Sequence, residues 1–586
     1  MKQFWLTLAG VFAGLVLFFV VLPVGFLLAA SAVASAPRTP SQTVLYVDLR
    51  GGMTDQSTAA PFASLTGEPL SVTTLALVLR QAQADPKVKS LFVRLPEGGM
   101  DPAAADELVQ AFRRFKAAGK IIYAHSQGLY ASGLVTSTYQ LGAEATQLWM
   151  QPGAPFEATG ISQEEIFFAR AFQQYGVSAE FEQRGPYKNA VNPYLYSGFT
   201  PAHREAELGW MTAVFNSTIA SVAASRHLSE PAVRAAIVGG PYDADGAKAA
   251  GLIDRTGQVE EMEDAALDAA GRDSVFIDIS DYRAPRRGGG GARIAVVNVE
   301  GEINVGDSGS TLLGETSVGS DTIAGALRDA AEDDDVKAIV LRVSSPGGAD
   351  TAAEQIAAAV RAAKAAKKPV VVSMGSYAAS GGYWISAEAD CIVAQPTTLT
   401  GSIGVYGGKF SGGKAAARFG VDLDQITVGG DYAGMSSLGA PMSGNQRAAY
   451  SAQVDRIYDA FIDHVAKGRN IPAERVREIA GGRVWTGVEA KQLGLVDELG
   501  GLSEAIEKAK SMAHLKGSVR LEMLPIGPSP YEALQRMLGI SATSAKGLIA
   551  AGALLGDERA QAMIRSMTRE GAGSRQGRVL APKPLN

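Results

Sequence analysis

Ser380 is followed at once by Gly381 and Gly382, and a short β-branched run, Val370–Val372, precedes it after Pro369. A serine at a helix start, with glycines behind it, has unpaired backbone N–H groups beside its hydroxyl and no side chain in a substrate's way. Acyl transfer needs that combination of a nucleophile and ready-made oxyanion donors. The other reading of Ala379–Gly382 is a tight packing turn. A second glycine turn, Ser344–Gly348, offers the same backbone equipment at a predicted strand-to-helix junction.

A serine nucleophile needs a proton acceptor. The five histidines are His125, His203, His227, His464 and His514, and none sits at a glycine-rich strand end near Ser380. His464 reads as an ordinary helix residue, and His125 lies near Ser132, not Ser380. A lysine serves if burial lowers its pKa from about 10.4 toward 7–8. Lys188, in Gly185–Pro193, is the best fit: apart from Arg184 it stands away from other cations, framed by Pro186, Tyr187 and Val191. Spacing alone also fits an exposed loop lysine.

The elements around these residues come in two copies. A constant shift of 248 residues lays Val88–Gly133 on Val336–Gly381, matching Arg94 to Arg342, Gly99 to Gly347, Lys120 to Lys368 and Ser132 to Ser380. With small gaps, Gly251–Asp254 then falls on Gly494–Asp497. Strand patterns alternate with helical ones in each copy: Thr322–Ala331 helix, Ala338–Val343 strand, Thr351–Ala366 helix, a turn at Ser373–Ser376, and Cys391–Ala394 strand. That alternation predicts an α/β fold with a mainly parallel sheet, duplicated. The copies span 42–284 and 293–510, joined by the Gly-rich linker 285–292. In the first copy Leu134 replaces Gly382, Met100 replaces Gly348 and Ala158 replaces Ser402, so Ser132 is expected to be structural. The second copy has no lysine at Gly429–Met435, where the first has Lys188.

Residues 3–37 are uncharged and long enough to cross a bilayer, predicting a transmembrane signal anchor over 1–37. The alternative is a cleaved signal peptide, ending at Ala34–Ala36. With only Lys2 on the short side, the body is expected outside the cytoplasm, on the periplasmic side in a bacterium. The tail, 511–586, is expected to be partly disordered, with Ser541–Gly556 too short to span as a straight helix. The chain has 586 residues, a net charge of −6 and one cysteine, Cys391. That gives no electrostatic reason for nucleic acid and excludes an internal disulfide framework or cysteine-based zinc site.

Together, the repeat and the motifs Ser344–Gly348, Ser373–Tyr383, Thr400–Val405, Gly185–Pro193 and Trp485–Asp497 resemble the long, duplicated form of the signal peptide peptidase A family. Those proteins are membrane-anchored Ser/Lys proteases, more distantly similar to Clp-type proteases and crotonases. The resemblance covers residues 1 to about 510. It implies two tandem Clp/crotonase-like domains, Ser380 as nucleophile, Lys188 as general base, Ser402 orienting the lysine, and Gly381 and Gly348 as the oxyanion hole. It further implies a homotetramer at the bacterial inner membrane that degrades cleaved signal peptides without metal or cofactor. Two other readings are a non-catalytic membrane scaffold of the same fold and a CoA-dependent crotonase-type enzyme, for which Asp350 is the one carboxylate near Gly348.

Overall fold

A computed structural model describes residues 39–56, 70–284, 291–310 and 316–525, together with Gly10 and Gly14. The expected anchor (those two glycines apart), most of the linker and the Ser541–Gly556 stretch lie outside the described residues. Among the described residues no helix is long and apolar enough to cross a membrane.

Each copy is built on its own sheet. The first contains β1 (Thr43–Asp48), β2 (Val88–Arg94), β3 (Ile121–Ser126), β4 (Gln147–Met150), β5 (Arg255–Thr256) and β6 (Val275–Asp278), in the order β5-β4-β3-β2-β1-β6, all parallel. The second contains β7 (Arg293–Glu300), β8 (Val336–Ser345), β9 (Val370–Ala379), β10 (Cys391–Ala394), β11 (Leu399–Gly401), β12 (Val484–Thr486), β13 (Glu498–Leu499) and β14 (Arg520–Leu524). Its main path is β12-β11-β9-β8-β7-β14, with β10 joining β9 to β13. Parallel strands covered on both faces bury nearly every side chain. In β8 only Lys337 is exposed. The duplication extends to register: β1 slips against β2 between Thr43 and Val44, and β7 slips against β8 between Arg293 and Ile294.

The principal helices are α1 (Pro102–Ala117), α2 (Pro201–Arg226), α3 (Asp350–Ala365), α4 (Gly381–Ser386), α5 (Gly444–Arg469) and α6 (Leu502–Met512). Asp101 caps α1 by accepting the Ala103 and Ala104 amides, and Thr200 caps α2 by accepting the His203 amide. Each copy has its own large apolar cluster, one around Leu91, Phe112 and Leu148, the other around Leu341, Ile356 and Ile392.

Two details differ from the sequence reading. The turn expected at Ser373–Ser376 is absent, and β9 runs unbroken to Ala379. Its small residues form a bulge instead: Met374 pairs with Val343 but Ala378 with Ser345. A methyl group on Gly375 would sit 2.8 Å from the Asp55 carboxylate, so the bulge admits a side chain from the first copy. The second sheet also runs beyond residue 510, because β14 pairs with β7 as β6 pairs with β1.

Strand pairing and buried charge both join the copies. Ser178–Gln183 of the first pairs antiparallel with Tyr406–Ser411 of the second, a ribbon belonging to neither sheet. Arg342, 1% exposed, meets Asp55 at 2.5 Å and Glu107 at 3.1 Å, both carboxylates coming from the first copy. Glu107 also accepts the Leu502 amide that opens α6.

Candidate active site

Ser380 sits where β9 turns into α4, with φ 54° and ψ −118°. A side chain other than glycine rarely adopts this backbone, and the hydrogen bonds around it hold it there. The Ser380 amide donates to the Gly401 carbonyl at 2.9 Å, and the Ser380 carbonyl accepts from the Tyr383 and Trp384 amides. The glycine turn packs against it. A methyl on Gly347 would lie 2.7 Å from both the Gly381 nitrogen and Ser380 Cβ. Ile303 donates to the Gly347 carbonyl at 2.8 Å and accepts the Ala349 amide at 2.9 Å. In that parallel bridge the intervening Gly348 N–H is not used by Ile303, and a methyl on Gly381 would come 3.1 Å from the Gly348 nitrogen. Two amides thus lie side by side next to Ser380. A cavity of about 240 Å³ opens beside Gly348, with Val405, Tyr406, Tyr450, Val454 and Ile457 in its wall and Asp350 at its lining.

Lys188 reaches this place from the first copy. The Ser178–Gln183 ribbon carries the chain over the second copy, and the Arg184 amide then donates to the Val405 carbonyl at 2.8 Å. The turn that follows lies on Gly481 and Gly482: the Tyr187 amide donates to the Gly481 carbonyl at 2.9 Å. A methyl on Gly482 would be 2.6 Å from Lys188 Cβ and from its backbone nitrogen. Lys188 ends 4% exposed, its Nζ donating to the Ser402 carbonyl at 2.8 Å and to Ser402 Oγ at 2.9 Å. Burial alone pulls its amine from the usual 10.5 down to about 7. Among the described residues no carboxylate forms an ion pair with it. Ser402 is held in turn with φ 49°, its amide donating to the Arg483 carbonyl at 2.8 Å. Gly401, whose carbonyl accepts the Ser380 amide, is Ser402's chain neighbour. The structure therefore hydrogen-bonds Lys188 to Ser402 and Ser380 to Gly401, the residue before Ser402, and packs Gly348 and Gly381 beside Ser380.

The seat for Lys188, Gly481–Gly482, is missing from the sequence reading. The pair of consecutive glycines before Arg483 was the available signal, but its partner lies nearly three hundred residues away in the chain. The corresponding stretch of the second copy, Gly429–Met435, instead holds a short 3-10 turn, Asp431–Gly434.

The equivalent region of the first copy is closed. There the Ser132 carbonyl accepts the Gly99 amide at 2.7 Å, and a methyl on Gly99 would be 2.1 Å from the Leu134 nitrogen. The helix starts only at Val135, whereas α4 starts at Gly381, directly after Ser380. His125 is buried with Nε2 3.0 Å from the Gly257 carbonyl, and burial lowers its pKa. His464 lies against the Trp384 ring, its Nε2 2.8 Å from that residue's carbonyl. Both are committed to packing. Among the described residues no three His, Cys, Asp or Glu side chains gather as a metal ion requires.

An activatable hydroxyl, two neighbouring amides and a dehydrated amine can carry out acyl transfer. Comparison with known proteins agrees. The profile of peptidase family S49 matches residues 114–272 and again 362–516, one match within each copy. "Protease 4" of Salmonella typhi is 35% identical over 454 residues, covering 75% of this chain and 71% of its own. "Protease 4" of Haemophilus influenzae is 31% identical over 525 residues, covering 85% and 83%. The chloroplastic "Serine protease SPPA" of Arabidopsis thaliana is 27% identical over 495 residues, covering 82% and 70%. The chain belongs to peptidase family S49 and is a serine protease.

Proposed function

We propose that proteolysis runs on a Ser380–Lys188 dyad divided between the two copies. The neutral Lys188 amine takes the Ser380 hydroxyl proton as Oγ bonds to the peptide carbonyl carbon. The oxyanion that forms accepts the Gly348 and Gly381 N–H groups. As the C–N bond breaks, the lysine ammonium returns its proton to the leaving amine. Water, deprotonated by the same amine, then releases the acyl group from Ser380. Ser402 orients the amine throughout. One observation carries this reading: a buried amine hydrogen-bonded to Ser402, next in the chain to the residue that holds the Ser380 amide.

The substrates proposed are apolar peptides of the cleaved signal peptide kind. The family resemblance supports them, and the cavity beside Gly348 offers Val405, Val454 and Ile457 as apolar contacts beside the polar Asp350 and Gln453. We also infer that residues 1–37 anchor the chain in the bacterial inner membrane, with the body on its extracytoplasmic side and four copies assembled there. The uncharged 3–37 run supports the anchor, and the resemblance supports the assembly.

The test is labelling of the purified protein by a serine-directed acylating probe, followed by peptide mapping. Label on Ser380 that disappears in Lys188→Ala is the expected result. Label elsewhere, or Ser380 label undiminished without the lysine, refutes the dyad.

A further inference from the structure

Arg483 joins the two halves of the site, although it touches neither Ser380 nor Lys188 through its side chain. Its guanidinium lies between two rings, 5.1 Å from the centre of Tyr187 and 4.6 Å from that of Trp485. Tyr187 immediately precedes Lys188 and belongs to the first copy, whereas Trp485 lies on β12 of the second. From α2 of the first copy, Glu205 accepts Arg483 Nη1 at 2.6 Å and the Tyr187 hydroxyl at 3.2 Å. The backbone of Arg483 contributes as well, its carbonyl accepting the Ser402 amide. Trp485 packs so closely on Gly401 that a methyl there would be 2.9 Å from the indole Cδ1. A chain of contacts thus runs from the residue before Lys188, through Arg483 and Trp485, to the carbonyl that holds the Ser380 amide.

We propose that Arg483 is the positioning residue that fixes the Lys188 turn of the first copy in register with Ser402 and Ser380 of the second. This rests on the dyad reading above and names the part that aligns it. The guanidinium suits the place because it is flat enough to stack on both rings while its edge donates to Glu205. An ammonium could replace the ion pair but not the double stack. The ion pair itself is exposed at Glu205 and contributes little. The stack is what holds the turn down.

The test is steady-state peptide cleavage by Arg483→Lys and Glu205→Gln across pH, beside wild type and Lys188→Ala. For Arg483→Lys, kcat should fall on the order of ten- to a hundredfold with KM little changed, since misplacement of a reacting group by about 1 Å has that effect. The rising limb of its pH profile should also move to higher pH, because a loosened turn lets water reach Lys188. Glu205→Gln, which leaves the stack in place, should stay within about threefold of wild type. A lowered melting temperature with kcat and the limb unmoved would make Arg483 merely structural and overturn the proposal. Should Arg483→Lys not fold, Tyr187→Leu removes one face of the stack and must give the same kcat loss and limb shift. If Lys188→Ala stays active, the dyad itself fails. If Lys188→Ala is dead but the limb does not move, only the role of Arg483 fails.

Discussion

A lysine amine sealed in protein with no carboxylate beside it is disfavoured as an ammonium, and that leaves a signature in stability as well as in rate. Lys188 is held near 7 when folded and returns to about 10.5 when unfolded. Across that window the unfolded chain binds the proton and the folded chain does not, so stability rises with pH between the two values. Below about pH 7 the destabilisation is present in full, on the order of 5 kcal/mol by the free energy of a shift of this size. Lys188→Met should therefore unfold at a higher temperature than wild type at pH 6, with the gap closing toward pH 10.5. Calorimetry at a series of pH values checks this, and a gap independent of pH contradicts it. The same variant should be inactive, while in wild type kcat/KM should climb through pH 7 rather than pH 10. On the dyad reading, Ser380 and Lys188 stand out in the sequence through local marks, glycines behind a serine and a lone lysine among prolines and a tyrosine. Arg483 carries no such mark. Its meaning lies in two rings from distant parts of the chain.

At the scale of elements, the turn that carries Lys188 depends on bare backbone beneath it. Gly482 has φ +79° and no room for a methyl group, so Gly482→Ala must push Lys188 off Ser402. Cleavage should drop at least tenfold by misplacement of the amine, with a stability loss on the order of 1–3 kcal/mol measured in urea. Activity close to wild type would mean that the turn adapts. Strands β8 and β10 and the start of β9 were readable from the sequence because strands buried on both faces are continuous apolar runs. The bulge in β9 was not, since Gly375 and Ser376 look like turn residues until Asp55 is seen to need the space. Nor was β14, Arg520–Leu524, whose alternating five residues become a strand only through pairing with β7.

For the whole molecule, charge sealed between the copies governs cohesion. Arg342 is surrounded by Asp55 and Glu107, all three essentially out of water. Arg342→Met leaves two buried carboxylates without their cation and should cost about 3–5 kcal/mol in denaturant unfolding. Glu300 nearby accepts the Asp55 and Gln56 amides, and burial raises its pKa to about 7. A raised carboxyl favours the folded state fully below its unfolded value, near 4.5, and that contribution is lost as pH rises through 7. Glu300→Gln should accordingly gain on wild type between pH 5 and pH 8. Because Lys188 meets Ser402 within one chain, mixing Ser380→Ala with Lys188→Ala protein should restore no cleavage. The repeat announced the two domains in the sequence, but how they lock together could not be read there. Arg342 matches Arg94 of the first copy, whose guanidinium meets Gln127 instead.

The closed turn around Ser132 and the lysine-free stretch Gly429–Met435 of the second copy have a shared evolutionary consequence. On the dyad reading, each half has discarded what the other still supplies. Such reciprocal loss works as a ratchet, because a deletion that removes either half now removes the whole activity. A gene of this form has no single-step return to one catalytic unit per copy, and the number of sites per chain is fixed at one.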